Sequence, residues 1–351
     1  MLPRREQQAN QRLKIYDLKG TIRTLLFLAI GAVLLWLTFR HQDFSMVIEK
    51  IKHAHFGWLG LSILLSIAAL ISRALRWKQL IEPLGYKPRF SSTFNAMMFG
   101  YVANLAIPRI GEISKCGALS KSEGIPFKKL IGTVIIERVA DVILLILCIG
   151  IVAILEFKRL GGFLAEHIWN PIVEKMGSAS ILIAILTFGI VAVLFIIYKL
   201  FKMENPPPSI QKIKELMQGI GEGLATVTQL KNKWLFVFHS VFIWAVYFFM
   251  TYICFFALQE TSGLDLSAGL FMMVIGGIGM TAPVQGGIGA YHLLVSKGIE
   301  LYGLSATDGI VFATMVHSTQ TLLLIILGGI SMIALFFFTK PRPSQIDESS
   351  R

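Results

Sequence analysis

The sequence predicts an all-α, polytopic membrane protein, on three observations. Of its 351 residues, 54% are hydrophobic and only 15% are charged, whereas a soluble domain carries about a quarter charged residues. The apolar residues fall in runs of roughly twenty, the length that crosses a ~30 Å hydrocarbon core. The lysines and arginines gather in short loops between those runs, where they act as topology signals. The net charge of +12 is therefore read as contact with anionic lipid headgroups, and nucleic acid is excluded as a partner.

Six full-length spans are expected, over 22–39, 58–81, 130–155, 181–200, 234–258 and 307–339. The last exceeds the minimum, so it tilts, kinks near Gly328-Gly329 or extends past the bilayer. The spans spread evenly, which makes residues 21–339 one membrane domain. Residues 1–20 form a basic segment before it and 340–351 a tail after it. The first span reads as an uncleaved helix, because no small-residue cleavage site follows it.

Two further apolar stretches are short and then broken. Residues 94–107 end in Pro108 and Gly111, and residues 270–282 end in Pro283 and Gly286-Gly287-Ile288-Gly289; helical pattern resumes after each. A break leaves backbone N–H and C=O groups unpaired, which hydrocarbon does not tolerate, so such segments are buried in protein or line a wet cavity. Re-entrant hairpins are expected over 94–119 and 270–301. If every arm crosses the bilayer instead, giving eight or more segments, the parity is the same.

Charge sets the orientation. Arg4, Arg5, Arg12, Lys14 and Lys19 precede the first span, Arg76, Lys78, Lys87 and Arg89 gather at the end of the second and in the loop after it, and Lys340 and Arg342 follow the last. The loop after the fourth span is also basic, whereas the loop 259–265 lacks Lys and Arg. The basic set belongs to the cytoplasm, which places both termini inside. The first hairpin then dips in from the cytoplasm and the second from outside. That geometry suggests an inverted repeat with a binding site where the breaks meet. Between Pro206-Pro207-Pro208 and Trp234, residues 209–230 read as an interfacial amphipathic helix capped by Ser209.

Glu137, Arg138 and Asp141 are the ionisable group set deepest in a span. Glu137 and Asp141 share a helix face, and the three sit roughly 12–18 Å along the helix from Lys129. Charges there are costly unless paired or wetted. They form either an internal salt-bridge network or a wet polar path. At the first break, Pro108-Arg109-Ile110-Gly111-Glu112 places a guanidinium able to grip a phosphate through two parallel hydrogen bonds. The other reading pairs Arg109 with Glu112, Glu137 or Asp141. Asn104 lies one turn before that break and bonds either backbone or substrate. At the second break, Gln285, Gly286, Gly287 and Gly289 permit positive φ and close backbone approach, with a helix starting near Ala290. The same tetrapeptide at Gly276-Gly277-Ile278-Gly279 points to tight helix packing as the alternative.

Other residues signal less. His239 and His317 are lone histidines in apolar runs, and Arg73, Arg76 and Lys78 are expected to snorkel to the interface. Cys116, Cys148 and Cys254 have neither metal-ligand nor disulfide spacing. No cofactor, metal or catalytic residue is expected. Walker A, His-Glu-x-x-His and Gly-x-Ser-x-Gly sequences are absent, so any transport is not driven by ATP hydrolysis within this chain.

Three motifs occur in order: Asn104 through Pro108-Arg109-Ile110-Gly111-Glu112, then Glu137-Arg138-Val139-Ala140-Asp141, then Pro283-Val284-Gln285-Gly286-Gly287-Ile288-Gly289. From about Thr21 to Thr339, the chain resembles the transmembrane domain of lysylphosphatidylglycerol synthetases, the flippase-like family of bacterial and archaeal membrane proteins. The resemblance implies a multi-pass protein of the cytoplasmic membrane that moves an anionic phospholipid or a polyprenyl-phosphate-linked lipid between leaflets. It implies that the three motifs carry the headgroup path. No aminoacyltransferase domain accompanies the motifs, so lipid lysylation is not expected. Around His317 the sequence reads Val316-His317-Ser318-Thr319-Gln320, where the family suggests an Arg-containing pattern. Two other functions compete: a membrane enzyme acting on a lipid-linked substrate, and a non-catalytic partner of a cell-envelope assembly. Expected partners are anionic membrane lipids, with a second copy of the chain or an envelope-biogenesis enzyme as protein partners.

Overall fold

A computed structural model describes residues 28–40, 42–164 and 230–338. The basic N-terminal segment, the span over 181–200, the amphipathic helix over 209–230 and the C-terminal tail lie outside the described residues. Among the described residues every regular element is helical. Four helical stretches are long and apolar enough to cross a membrane: Phe56–Leu84, Phe127–Leu155, Lys233–Ala257 and Ala306–Phe337. They coincide with four of the expected spans. At 1.5 Å per residue the shortest is about 37 Å long, enough for the hydrocarbon core. Of the expected first span, Leu28–Phe39 (α1) is described.

The chain divides into two compact units, Met1–Val134 with Leu235–Arg351, and Ile135–Trp234. In the first unit, α2 (Phe44–Lys52) precedes α3 (Phe56–Ile81), and α4 (Phe90–Ala106) turns back into α5 (Gly111–Glu123). After α8 (Lys233–Ile253) come α9 (Leu266–Met280), α10 (Ala290–Glu300) and α11 (Ala306–Ile333). The starts of these helices are written in the sequence. Asp265 accepts a hydrogen bond from the Ala268 N–H at 2.8 Å, and Ser305 with Asp308 closes a capping box on α11. The first unit ends within α6 (Phe127–Leu155), a single helix that continues into the second unit, where α7 (Phe157–Leu164) follows.

The core of the first unit lies where α3, α4, α5 and the start of α6 converge. Trp77, Ile81, Met97, Met98, Cys116, Leu119 and Leu130 are buried there. Trp77 donates its indole N–H to Thr133 Oγ1 at 2.9 Å. The Lys115 ammonium sits 4.4 Å from the Trp77 ring centre, a cation–π arrangement that shelters a buried charge. α11 also packs on α4 and brings Leu324 and Leu327 against this core. A Cβ at Gly328 would strike the Val102 side chain, and α11 runs on through Gly328-Gly329 before loosening into a π turn at Ala334–Phe338. Gly328 thus serves helix contact.

The unit's two ends are tied by different groups. At one, Lys50 binds Glu260 and Asp308, the latter at 2.7 Å, the His55 N–H donates to Ala257 O at 2.8 Å, and Thr307 Oγ1 donates to Gln42 at 2.9 Å. The Asp308 and Glu260 carboxylates outweigh the partial burial of Lys50 and hold its ammonium above its ordinary pKa. At the other, Arg89 pairs with Glu123 at 2.8 Å and the Lys129 ammonium lies 4.9 Å from the Tyr86 ring centre.

Candidate functional site at two helix breaks

The first break follows from local chemistry. Ile107 precedes a proline, and that position disfavours the helical region; its φ of −134° and ψ of 119° end α4. Pro108 supplies no N–H. Arg109 then adopts a φ of 66°, and among the described residues it is the one non-glycine in the left-handed region. That conformation costs an L-residue roughly 1–2 kcal/mol. The chain re-enters helix at Gly111, whose N–H donates to Asn104 Oδ1 at 2.7 Å. The Asn104 side chain thus bonds backbone, bridging the end of α4 and the start of α5. A Cβ on Gly100 would lie 2.7 Å from Gly111 O, so the two arms touch backbone to backbone.

The second break is made by glycine. Pro283 ends the α9 side, and a single 3-10 turn covers Gln285–Gly287. Gly286, Gly287 and Gly289 have φ of 56°, 74° and 84°, values that glycine adopts without steric cost. Space forbids a side chain as well. A Cβ at Gly289 would lie 2.7 Å from Gly31 O and from Leu34 Cβ on α1. One at Gly286 would lie 2.7 Å from Leu105 Cδ2 on α4. The two breaks therefore meet, with α1 packed beside them. Gly276 and Gly279 face Tyr291, so the earlier glycine tetrapeptide serves helix packing.

At this meeting point Ala106, Arg109, Thr281, Pro283 and Ile288 are exposed, and Gln285 and Gly287 are buried. Arg109 forms no ion pair with Glu112, one of the pairings the sequence allowed, and it is exposed at the break. Glu112 sits in the first turn of α5, where a carboxylate complements the helix dipole.

The second unit holds the remaining expected residues. Glu137 is fully buried, at 0% exposure. Arg138, nearly half exposed, pairs with Asp141 at 3.8 Å across one helical turn.

Sequence reasoning missed a polar seam between α3, α8 and α11. Arg73 and Arg76 do not snorkel: they are 7% and 0% exposed. Arg73 donates to Tyr247 Oη at 2.9 Å and Arg76 to Ser240 Oγ at 3.2 Å. Ser72 and His239 Nδ1 are hydrogen-bonded at 2.8 Å, Ser66 donates to Gln320 Oε1 at 2.6 Å, and Gln320 donates to Ser62 at 2.8 Å. Residues 62, 66, 73 and 76 fall on one face of α3 by helical spacing, a signal that was present in the sequence. His317 is not alone either. Its ring centre lies 4.9 Å from that of His292 and 5.0 Å from that of Tyr291. Among the described residues no three His, Cys, Asp or Glu side chains gather as a metal site.

Comparison with known proteins bears on this arrangement. The lysylphosphatidylglycerol synthase TM region family matches residues 24–328, and the chain belongs to that family. A UPF0104 membrane protein of Methanocaldococcus jannaschii is 29% identical over 133 residues, 37% of this chain and 38% of the relative. The match thus spans well under half the length of that relative. No solved structure matches.

Proposed function

For a membrane protein of the lysylphosphatidylglycerol synthase TM region family, we propose lipid translocation: an anionic headgroup crosses where the two breaks meet, and its acyl chains stay in the bilayer. The observation that carries this reading is Arg109. It stands exposed, without an acidic partner among the described residues, on a backbone held at φ 66°. A left-handed backbone at a residue other than glycine is costly to keep, and the guanidinium it carries suits bidentate binding of a phosphate. Both a phosphatidylglycerol-type phospholipid and a polyprenyl phosphate offer that phosphate. The lipid emerges chemically unchanged, so the protein acts as a translocase and not as an enzyme.

Arm lengths support hairpins that dip in and return. The 17 residues of α4 and the 15 of α9 extend about 25 Å and 22 Å, short of a ~30 Å hydrocarbon core. The tied ends support the parity of six spans. Segments that charge assigns outside (Gln42, Lys50, Ala257, Glu260, Thr307, Asp308) tie to one another. Segments assigned to the cytoplasm (Tyr86, Arg89, Glu123, Lys129) do the same. The hairpins then approach from opposite faces of the cytoplasmic membrane, with both termini inside.

The test is leaflet-selective reduction of a fluorescent phosphatidylglycerol in liposomes. Protein-containing vesicles are expected to lose the protection of the inner leaflet, and empty vesicles to keep it. If no anionic phospholipid or polyprenyl phosphate crosses faster with protein than without, the proposal is wrong.

A further inference from the structure

We propose that His292 and His317 form a buried proton-binding site beside the second break, and that occupancy of this site drives the movement of the anionic headgroup. The inference rests on the translocation reading and supplies its energy source, a proton carried together with the anion.

His292 lies in the first turn of α10, three residues beyond Gly289, and His317 lies in mid-α11. The two rings are 6% and 7% exposed, with centres 4.9 Å apart. Among the described residues, His292 Nδ1 and His317 Nε2 are both buried without a hydrogen-bond partner. One turn before His317, Thr314 Oγ1 is in the same condition. A buried polar atom left unsatisfied is destabilising. Two such nitrogens on adjacent rings call for something that can bond both, and a water or a hydronium placed between them would do so.

The surroundings determine what a proton there would need. From α10 the pair meets Tyr291, and from α1 it meets Phe39, 6.2 Å from His292. Arg40, at the end of α1, stacks on Trp36 instead. The turn after α8 brings Cys254 near Tyr291. No residue of α9 is titratable, and of α4 only Tyr101. On α3, Ser62 and Ser66 meet Gln320, one turn past His317, and Arg73 lies about 10 Å further along that helix. Asp308 is about 13 Å back along α11 and, with Glu260, is bound to Lys50 of α2; Lys297 and Glu300 of α10 pair with each other. Among the described residues, a protonated pair thus has no carboxylate against it to offset its charge. Its natural counter-charge is the anionic cargo at the adjacent break. By linkage, each then strengthens the binding of the other. The proton comes from water on one side, rides a ring nitrogen while the headgroup is bound, and returns to water on the other side as the headgroup leaves. No covalent bond is made or broken except N–H.

The experiment follows both fluxes in one vesicle. Full-length protein is reconstituted with fluorescent phosphatidylglycerol, and pyranine inside reports pH. The wild type is expected to move lipid faster as pH falls from 8 to 6, by up to about tenfold per pH unit, the slope of a single proton. Inward lipid movement should acidify the lumen. His292→Gln and His317→Gln, singly and together, should flatten the pH profile and abolish the acidification. A wild-type rate independent of pH, or lipid movement without proton flux, overturns the proposal and leaves translocation standing. Should either variant misfold in detergent, the wild-type flux ratio alone decides. Absence of any lipid movement by the wild type at any pH would instead remove the translocation reading.

Discussion

The two breaks solve the same problem with different chemistry. Each interrupts a helix and must find partners for freed backbone groups. The second does so with three glycines at positive φ, and its shape is fixed by backbone against backbone. The first uses a side chain, Asn104, to bond the restarting helix, and places an arginine where glycine would fit best. A glycine at 109 would relieve the backbone. The presence of Arg109 therefore points to a demand on its side chain, and none of the other break residues carries that combination of strain, exposure and charge.

The comparison breaks first at Gly289. Alanine there meets backbone on α1 at 2.7 Å and a φ of 84°. Strain and overpacking together are expected to cost about 2–4 kcal/mol, read as a large fall in melting temperature in detergent. Alanine at Gly286 meets only the far end of Leu105 and should cost less. Equal losses at 286 and 289 would refute the claim that backbone contact fixes the second break.

Asn104→Ala comes next. It leaves the Gly111 N–H without its acceptor, and about 1–2 kcal/mol of stability is expected to go. Faster amide exchange at Gly111 would locate the loss at the restart of α5. Arg109→Gly should have the opposite sign, a gain of about 1 kcal/mol from released strain; a melting temperature unchanged or lowered would mean that the left-handed backbone at 109 is not strained.

The smallest effect lies away from both breaks, at Lys50. Burial is the largest single influence on its ammonium and lowers the pKa, but the hydrogen bonds and charges of Asp308 and Glu260 together outweigh it and raise the pKa. A cation with a raised folded-state pKa stabilises the fold fully below its unfolded value, near 10.5, and loses that stabilisation as pH climbs through the folded value. The stability difference between wild type and Lys50→Gln should therefore be flat from neutral pH to about 10 and shrink above 10.5. A difference that instead shrank on acidification below pH 7 would contradict this sign.

Much of the fold was legible because the membrane simplifies the code. The runs over 58–81 and 307–339 are mostly apolar and long enough to cross, and helices span Phe56–Leu84 and Ala306–Phe337. Pro108 and Pro283, each followed by glycine, marked both breaks. What stayed hidden depended on partners far along the chain. Arg76 at a helix end looks like a snorkelling residue until Ser240, 164 positions away, is seen to enclose it. His317 looked solitary because its neighbour His292 sits on another helix. Asn104 offered both readings, and only the turn at Arg109 brings Gly111 within 2.7 Å of it. The closure of Leu105 on Gly286 joins segments that no local pattern connects.

Arg109→Gly provides the most direct measurement, because stability and function should part company there. Leaflet-resolved movement of fluorescent phosphatidylglycerol would be compared between wild type and this variant at equal reconstituted protein. The account predicts a variant at least as stable as the wild type that moves the anionic lipid no faster than empty vesicles. A stable variant that moves it at the wild-type rate would contradict the role assigned to the guanidinium.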